Sequence, residues 1–146
     1  SKVLKEVIRK ANILVYVGDN CGEIVLDKLF IETIKQSFDC QVYYIVRDAP
    51  IINDVTVEDA SMVRMKEIAT VCSSGDCSLG LVMSNTTTEF QDLWNRADVV
   101  IAKGQGNFEG LYDVKKENMF HLFMVKCEVM ERITKQKQNT ILCKRK

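Results

Sequence analysis

The sequence predicts an α/β fold with three αβα layers, in which helices cover both faces of a mostly parallel sheet. Short apolar runs, bounded by glycine or polar residues, alternate with segments whose apolar residues recur at helical spacing. A chain of 146 residues is long enough to build one such domain around its own core. Because no repeat, low-complexity tract or linker interrupts the pattern, we expect residues 1–146 to form a single domain.

The first half of the chain opens with charged residues at helical spacing and then carries two clear strand signals. The apolar runs 13–17 and 42–46 are typical of strands buried on both faces. Between them, apolar residues from Ile24 to Phe38 recur every three or four positions, which predicts a helix. Pro50 then prevents further strand pairing or helix formation.

A further helix is predicted to begin at Asp54 or Thr56 and to run to about Glu67, since acidic residues suit its first turn. The remaining elements follow the same alternation of periods. They are a short strand at 69–72, a helix capped by one of Thr86 to Thr88, strands at 99–102 and 120–125, a helix at 128–134 and an edge strand at 140–143.

Several residues in these elements are interpreted as core. Phe90 and Trp94 lie at helical spacing, and the only histidine, His121, lies in an apolar strand beside Phe123 and Met124. We expect all of them to pack in the interior.

Composition excludes several classes of function. Lysine plus arginine and aspartate plus glutamate are balanced at 20 each, so no general positive field favours nucleic acid. The six cysteines contain no CxxC pair, which argues against zinc and predicts free, mostly buried thiols in a reducing compartment. No apolar stretch resembles a signal peptide or can cross a bilayer, so we expect a cytoplasmic protein without membrane contact.

Three polar loops follow predicted strands, and they carry the chemistry. They are 18–23, 47–54 and 103–109. Parallel sheets bind ligands outside the carboxyl ends of their strands, so we expect these loops to meet at one rim.

The side chains of these loops are oxygen-rich. Asp19, Asn20 and Asp54, with Glu23 and Asp48, offer the carboxylate and amide oxygens that divalent cations such as Mg²⁺ or Mn²⁺ prefer. Basic residues of the same loops, Lys103 and Arg47, can bind an anion. A metal and cations around one rim favour phosphoryl chemistry.

Each loop also has a simpler interpretation. The segments 18–22 and 53–56 have the sequences of ordinary helix caps. The segment 103–107 matches neither the phosphate-binding P-loop nor the dinucleotide fingerprint. The functional interpretation therefore depends on the convergence of the loops.

In these three loops, the sequence resembles the archaeal and bacterial branch of the damage-control phosphatase family, also called domain of unknown function 89. The matching stretches are 18–23 with Asp27 and Lys28, 46–56, 97–109, and Lys126 with Cys127. The resemblance implies a metal-dependent phosphatase (a hydrolase) that acts on phosphomonoesters of small metabolites such as sugar phosphates.

The resemblance also implies roles for individual residues. Asp19, Asn20 and Asp54 would bind a divalent metal ion (Mn²⁺, Mg²⁺, Co²⁺ or Ni²⁺), and Asp19, Asp54 and Lys103 would be catalytic. Substrate contacts would come from Lys103, Asn107, Arg47 and Glu23, the last two with supporting roles.

The chain departs from the family in the loop 74–85, where Leu79 stands in place of a common proline, and more importantly at its start, because members usually carry a helical region before the first of these strands. We therefore expect a fragment or a short form, whose missing region is covered by a homo-oligomer or a partner chain. The alternative function is a non-catalytic module that binds metal or a phosphorylated ligand together with a partner. Methyl transfer has little support, since the first loop lacks the glycine-rich sequence of a methyl-donor site.

Overall fold

A computed structural model describes the whole chain, Ser1 to Lys146. The helices are α1 (Lys2–Lys10), α2 (Ile24–Ser37), α3 (Val57–Met62), α4 (Thr88–Arg96), α5 (Gln105–Gly110) and α6 (Glu128–Thr134). The strands are β1 (Ile13–Val17), β2 (Gln41–Val46), β3 (Thr70–Ser73), β4 (Val99–Lys103), β5 (Met119–Met124) and β6 (Ile141–Arg145). None of the helices combines the length and apolar character that a membrane crossing requires.

The six strands form one sheet in the order β3-β2-β1-β4-β5-β6. Strands β1 to β5 pair in parallel, and only the edge strand β6 is antiparallel to its neighbour β5. The chain moves outward from β1 to β3 and then crosses back to β4 on the other side of β1. The carboxyl ends of β1 and β4 therefore flank the point where strand order reverses, which is where open α/β sheets bind ligands.

Helices cover both faces of the sheet, which confirms the three-layer α/β prediction. On one face, α1 and α2 pack on β1, β2 and β4 through residues such as Ile8, Ile31 and Leu14. On the other face, Phe90 and Trp94 of α4 pack against Val15 and its neighbours, with the two rings 5.8 Å apart. The predicted packing role of both aromatic residues is confirmed.

The structure differs from the sequence prediction in two helices. Helix α3 ends at Met62 instead of near Glu67, because Arg64 adopts a left-handed conformation with φ 57° and a separate 3-10 turn, Met65–Glu67, follows. Helix α5 lies in a segment predicted to be a loop. Its glycines disfavour helix formation, but burial of Phe108 stabilises it through tertiary contacts.

Two predictions of burial are wrong in part. His121 and Phe123 are buried, whereas Met124, at the end of β5, is 39% exposed. Of the six cysteines, all of which are free as predicted, only Cys40 is buried. Cys77 and Cys143 are exposed because they lie in a loop and on the edge strand.

Candidate functional site

The loops after β1 and β2 are joined by backbone hydrogen bonds. The Val55 N–H donates to the Asp19 carbonyl at 2.8 Å, and the Cys21 N–H donates to the Asn53 carbonyl at 2.8 Å. Asn20 and Asp54 form an isolated antiparallel bridge between these contacts. The structure therefore brings together the three residues expected to bind metal, because they belong to one short piece of paired backbone.

The loop after β4 completes the rim at Gly104. This glycine has φ 82°, a conformation that side chains rarely adopt, and a Cβ atom at this position would overlap the Asp19 carboxylate. The carboxylate of Asp19 thus lies directly on the backbone where α5 begins. All three loops expected to converge do so.

Asp19 is the least satisfied acidic group at the rim. Its carboxylate accepts no hydrogen bond and forms no salt bridge. Partial burial, followed by the negative charges of Asp54 and Glu23, raises the pKa of Asp19 to about 6. A carboxylate in this environment is stabilised by a cation.

Asp54, in contrast, is paired. Its Oδ2 atom accepts a hydrogen bond from Arg47 Nε at 2.9 Å, and both side chains are largely buried. Arg47 also donates from Nη2 to Asn107 Oδ1 at 2.7 Å. Through these two hydrogen bonds, Arg47 holds the second loop in place. Because only 2% of the residue is exposed, it offers little surface to a substrate.

Asn107 was expected to contact substrate, and its surroundings contradict that role. The residue is fully buried, and its Oδ1 accepts hydrogen bonds from Arg47 and from the Leu81 N–H at 2.9 Å. Its Nδ2 donates to the carbonyls of Gly18 at 3.1 Å and Lys103 at 2.7 Å. All of its hydrogen-bonding capacity is used inside the protein, so Asn107 connects the loops from below.

Lys103 points to the rim from the last position of β4. Its ammonium donates to Glu23 Oε2 at 2.7 Å and to Asp27 Oδ1 at 3.1 Å. Burial lowers the pKa of Lys103, but the charges of Asp27 and Glu23 outweigh burial and leave that pKa raised. Lys103 therefore stays protonated and retains one N–H for another acceptor.

Sequence reasoning missed a cation beside Asp19. Lys126, just after β5, is exposed and forms no salt bridge, and its positive charge acts to lower the pKa of Asp19. Its backbone N–H is held by Gln105 Oε1 at 3.1 Å. The resemblance to the family had included Lys126, but no pattern in the chain distinguished it from the other surface lysines.

Other groups near the rim have structural partners. Asp48, named as an oxygen donor from the sequence, is exposed and its Oδ1 accepts a hydrogen bond from the Ser73 hydroxyl at 2.8 Å. The Asn20 side chain caps the 3-10 turn Cys21–Glu23 by accepting from the Gly22 N–H at 2.8 Å. The helix-cap interpretation of this loop is thus correct, and it coexists with the convergence at the rim.

The rim can bind a hard cation only if carboxylate and amide oxygens act together as ligands. No group of three histidine, cysteine, aspartate or glutamate side chains is arranged to hold a metal ion. Both carboxylate oxygens of Asp19 and Oδ1 of Asp54 accept no hydrogen bond, and the amide oxygen of Asn20 keeps one free lone pair. Two carboxylates and an amide match the oxygen chemistry of Mg²⁺ or Mn²⁺, which keep several waters.

Comparison with known proteins identifies the family. The sequence model of the damage-control phosphatase ARMT1-like domain matches residues 1–142. The chain belongs to this family. A damage-control phosphatase of Pyrococcus horikoshii is 37% identical over 145 residues, which are 99% of this chain and 50% of that protein. A damage-control phosphatase of Archaeoglobus fulgidus is 35% identical over 120 residues, covering 82% of this chain and 41% of the relative.

The fold agrees with a solved member of the same family. The crystal structure of a DUF89 family protein from Pyrococcus horikoshii superimposes with a TM-score of 0.96 at 36% identity. The match covers 99% of this chain and 51% of that chain. The chain therefore spans about half the length of these Pyrococcus horikoshii relatives.

Proposed function

We propose that this domain takes part in the metal-assisted hydrolysis of phosphomonoesters of small metabolites, with sugar phosphates as the first candidates. One observation carries the proposal. The Asp19 carboxylate has no partner, lies against Gly104 and is surrounded by the charges of Asp54 and Glu23, with the unpaired Lys126 nearby. Membership in the damage-control phosphatase family supports a phosphatase role in metabolite repair.

In this proposal, Asp19, Asn20 and Asp54 hold a divalent cation such as Mn²⁺, Mg²⁺, Co²⁺ or Ni²⁺. Such a cation neutralises phosphoryl oxygens and activates a water molecule when it is bound. The oxygen ligands favour these metals, and the paired backbone of the first two loops keeps the ligands in register.

The other residues of the rim bind and orient the substrate. Lys103 directs its remaining N–H to a phosphate oxygen, and Lys126 supplies a cation that no carboxylate neutralises. The side chain of Glu23 is 46% exposed, so its second oxygen is available to a hydroxyl of the metabolite. In this proposal Asp19 also orients the attacking water.

The test is phosphate release from a panel of sugar phosphates with each of the four metals. We expect Asp54→Asn and Lys103→Ala each to lower kcat/KM about a hundredfold, because a preorganised charged contact contributes roughly 3–4 kcal/mol to transition-state binding. The matched controls are Asp92→Asn and Lys115→Ala, which change exposed residues outside the site. Turnover within twofold of wild type in either site variant would refute the assignment.

The second candidate is a non-catalytic module that binds a metal or a phosphorylated ligand and acts with a partner chain. It is favoured by the exposed apolar side chains of Val25, Leu26 and Leu29 on α2, which suit contact with another chain. Binding of Mn²⁺ by calorimetry, without phosphate release from any substrate of the panel, would support this module over the enzyme.

We propose that a partner or a second copy of the chain covers exposed apolar residues of α2 and α3. Val25, Leu26 and Leu29 on α2 are each more than half exposed, and Met62 on α3 is 83% exposed. Exposed apolar residues of this kind are typical of surfaces that another chain covers. We also propose a cytoplasmic location, which six free cysteines favour.

A further inference from the structure

A buried carboxylate lies below Lys103 and is not explained by the roles described so far. Asp27, on α2, is 2% exposed. Its Oδ1 accepts hydrogen bonds from the Tyr16 hydroxyl at 2.7 Å and from Lys103 at 3.1 Å, and its Oδ2 accepts one from the Tyr44 hydroxyl at 2.9 Å. Three donors from three adjacent strands therefore meet on one carboxylate from a helix.

This cluster is rigid. Tyr16 and Tyr44 stack on each other with ring centroids 5.6 Å apart, and both are at most 1% exposed. Burial, followed by the charge of Asp27, raises the pKa of both tyrosines, so they remain hydrogen-bond donors. A buried carboxylate with both oxygens occupied cannot rotate without leaving a polar group unpaired, which is costly.

The contact fixes the direction of Lys103. Asp27 holds the ammonium from inside the protein, while Glu23, one helical turn before Asp27, holds it from the solvent side. Because a lysine side chain is flexible, two fixed acceptors decide where its third N–H points. The hydroxyls of Tyr16 and Tyr44 share the charge of Asp27, which leaves part of the Lys103 charge for a ligand.

We propose that Asp27, clamped by Tyr16 and Tyr44, is a positioning residue that orients the Lys103 ammonium toward the phosphate site. The orientation is a property of the folded chain, and only its catalytic consequence rests on the proposed function. Asp27 itself is too deeply buried to contact substrate.

The first experiment measures the order of the Lys103 ammonium directly. Nitrogen-15 spectra of the lysine side chains detect ammonium groups whose protons exchange slowly, and Lys103→Ala assigns the signal. We expect a protected Lys103 signal in the wild type. In Asp27→Asn the ammonium protons should exchange with water about tenfold faster, because the loss of one hydrogen bond changes an equilibrium by about that factor. Glu23→Gln is the matched control at the exposed acceptor, with a change of about threefold or less.

Unchanged exchange in Asp27→Asn would overturn the proposal. Should Asp27→Asn not fold, Tyr44→Phe keeps the carboxylate and removes the donor to its Oδ2. Exchange at Lys103 should then rise about threefold, and an unchanged rate would again contradict a positioning role.

The second experiment separates positioning from simple stabilisation. Asp27→Asn should lower kcat about tenfold in the wild type but by less than about twofold in the Lys103→Ala background, because the two residues act as one unit. Equal losses in both backgrounds would show that Asp27 acts independently of Lys103. If the wild type hydrolyses none of the phosphoesters, the proposed function fails, while the ammonium exchange still decides the role of Asp27.

Discussion

The two sides of the rim differ in how completely their charges are paired. On one side, the buried Arg47 pairs with both Asp54 and the buried Asn107. On the other side, Asp19 has no partner and Lys126 is exposed and unpaired. In the proposed function the paired side fixes the loops and keeps only Oδ1 of Asp54 for the metal, whereas the unpaired side supplies Asp19 to the metal and Lys126 to the substrate.

The largest expected effect is on the paired side, at Asn107. Asn107→Ala removes four hydrogen bonds and leaves the Leu81 N–H and the Gly18 carbonyl without a buried partner. We expect the free energy of unfolding to fall by about 3 kcal/mol. Urea denaturation measures this loss.

The control for this variant is Asn95→Ala, which changes an exposed asparagine on α4. A loss below about 1 kcal/mol for Asn107→Ala would mean that the paired side does not hold the loops together.

On the unpaired side, Asp19→Asn should abolish function without harming the fold. We expect kcat/KM to fall about a hundredfold, since the proposed metal loses a charged ligand. In the metal-free protein the same change should raise the free energy of unfolding by about 1 kcal/mol at pH 7, a value reduced for partial exposure.

The effect of Asp19→Asn on the free energy of unfolding should depend on pH. Because the pKa of Asp19 is raised to about 6 in the folded chain, the folded state binds the proton more tightly than the unfolded state. Stability of the wild type relative to Asp19→Asn should therefore decrease as the pH rises from about 4 to 6. Denaturation curves in a chelator at several pH values measure it, and a flat difference would argue against an unpaired Asp19.

The smallest expected effect is at Lys126. Lys126→Ala should lower kcat/KM about tenfold, the contribution of one exposed charge-assisted contact, and the loss should shrink at high salt. Lys115→Ala is the matched control. A salt-independent loss would indicate that Lys126 does not contact the substrate through its charge.

Much of the fold was predictable because its signals are local. The strands β1, β2, β4 and β5 are short apolar runs, and the helices predicted between β1 and β4 imply parallel pairing there. Helix α5 was not predictable, since Gly106 and Gly110 disfavour a helix and only the burial of Asn107 and Phe108 stabilises it.

The candidate site was predictable in its location but not in its pairing. The convergence of Asp19 and Asp54 follows from the topology of a parallel sheet. Which cation pairs with which carboxylate depends on distances of a few ångströms, so Asp27 under Lys103 and the fully bonded Asn107 had no signal in the sequence. Lys126 was missed for the same reason.

One glycine joins the two sides of this comparison. At position 104 the Asp19 carboxylate fills the volume that a methyl group would occupy. The backbone at Gly104 therefore limits the position of the Asp19 carboxylate, because any larger residue would displace its oxygen atoms. The position of the Asp19 oxygen atoms therefore depends on a rim residue that contributes no side chain.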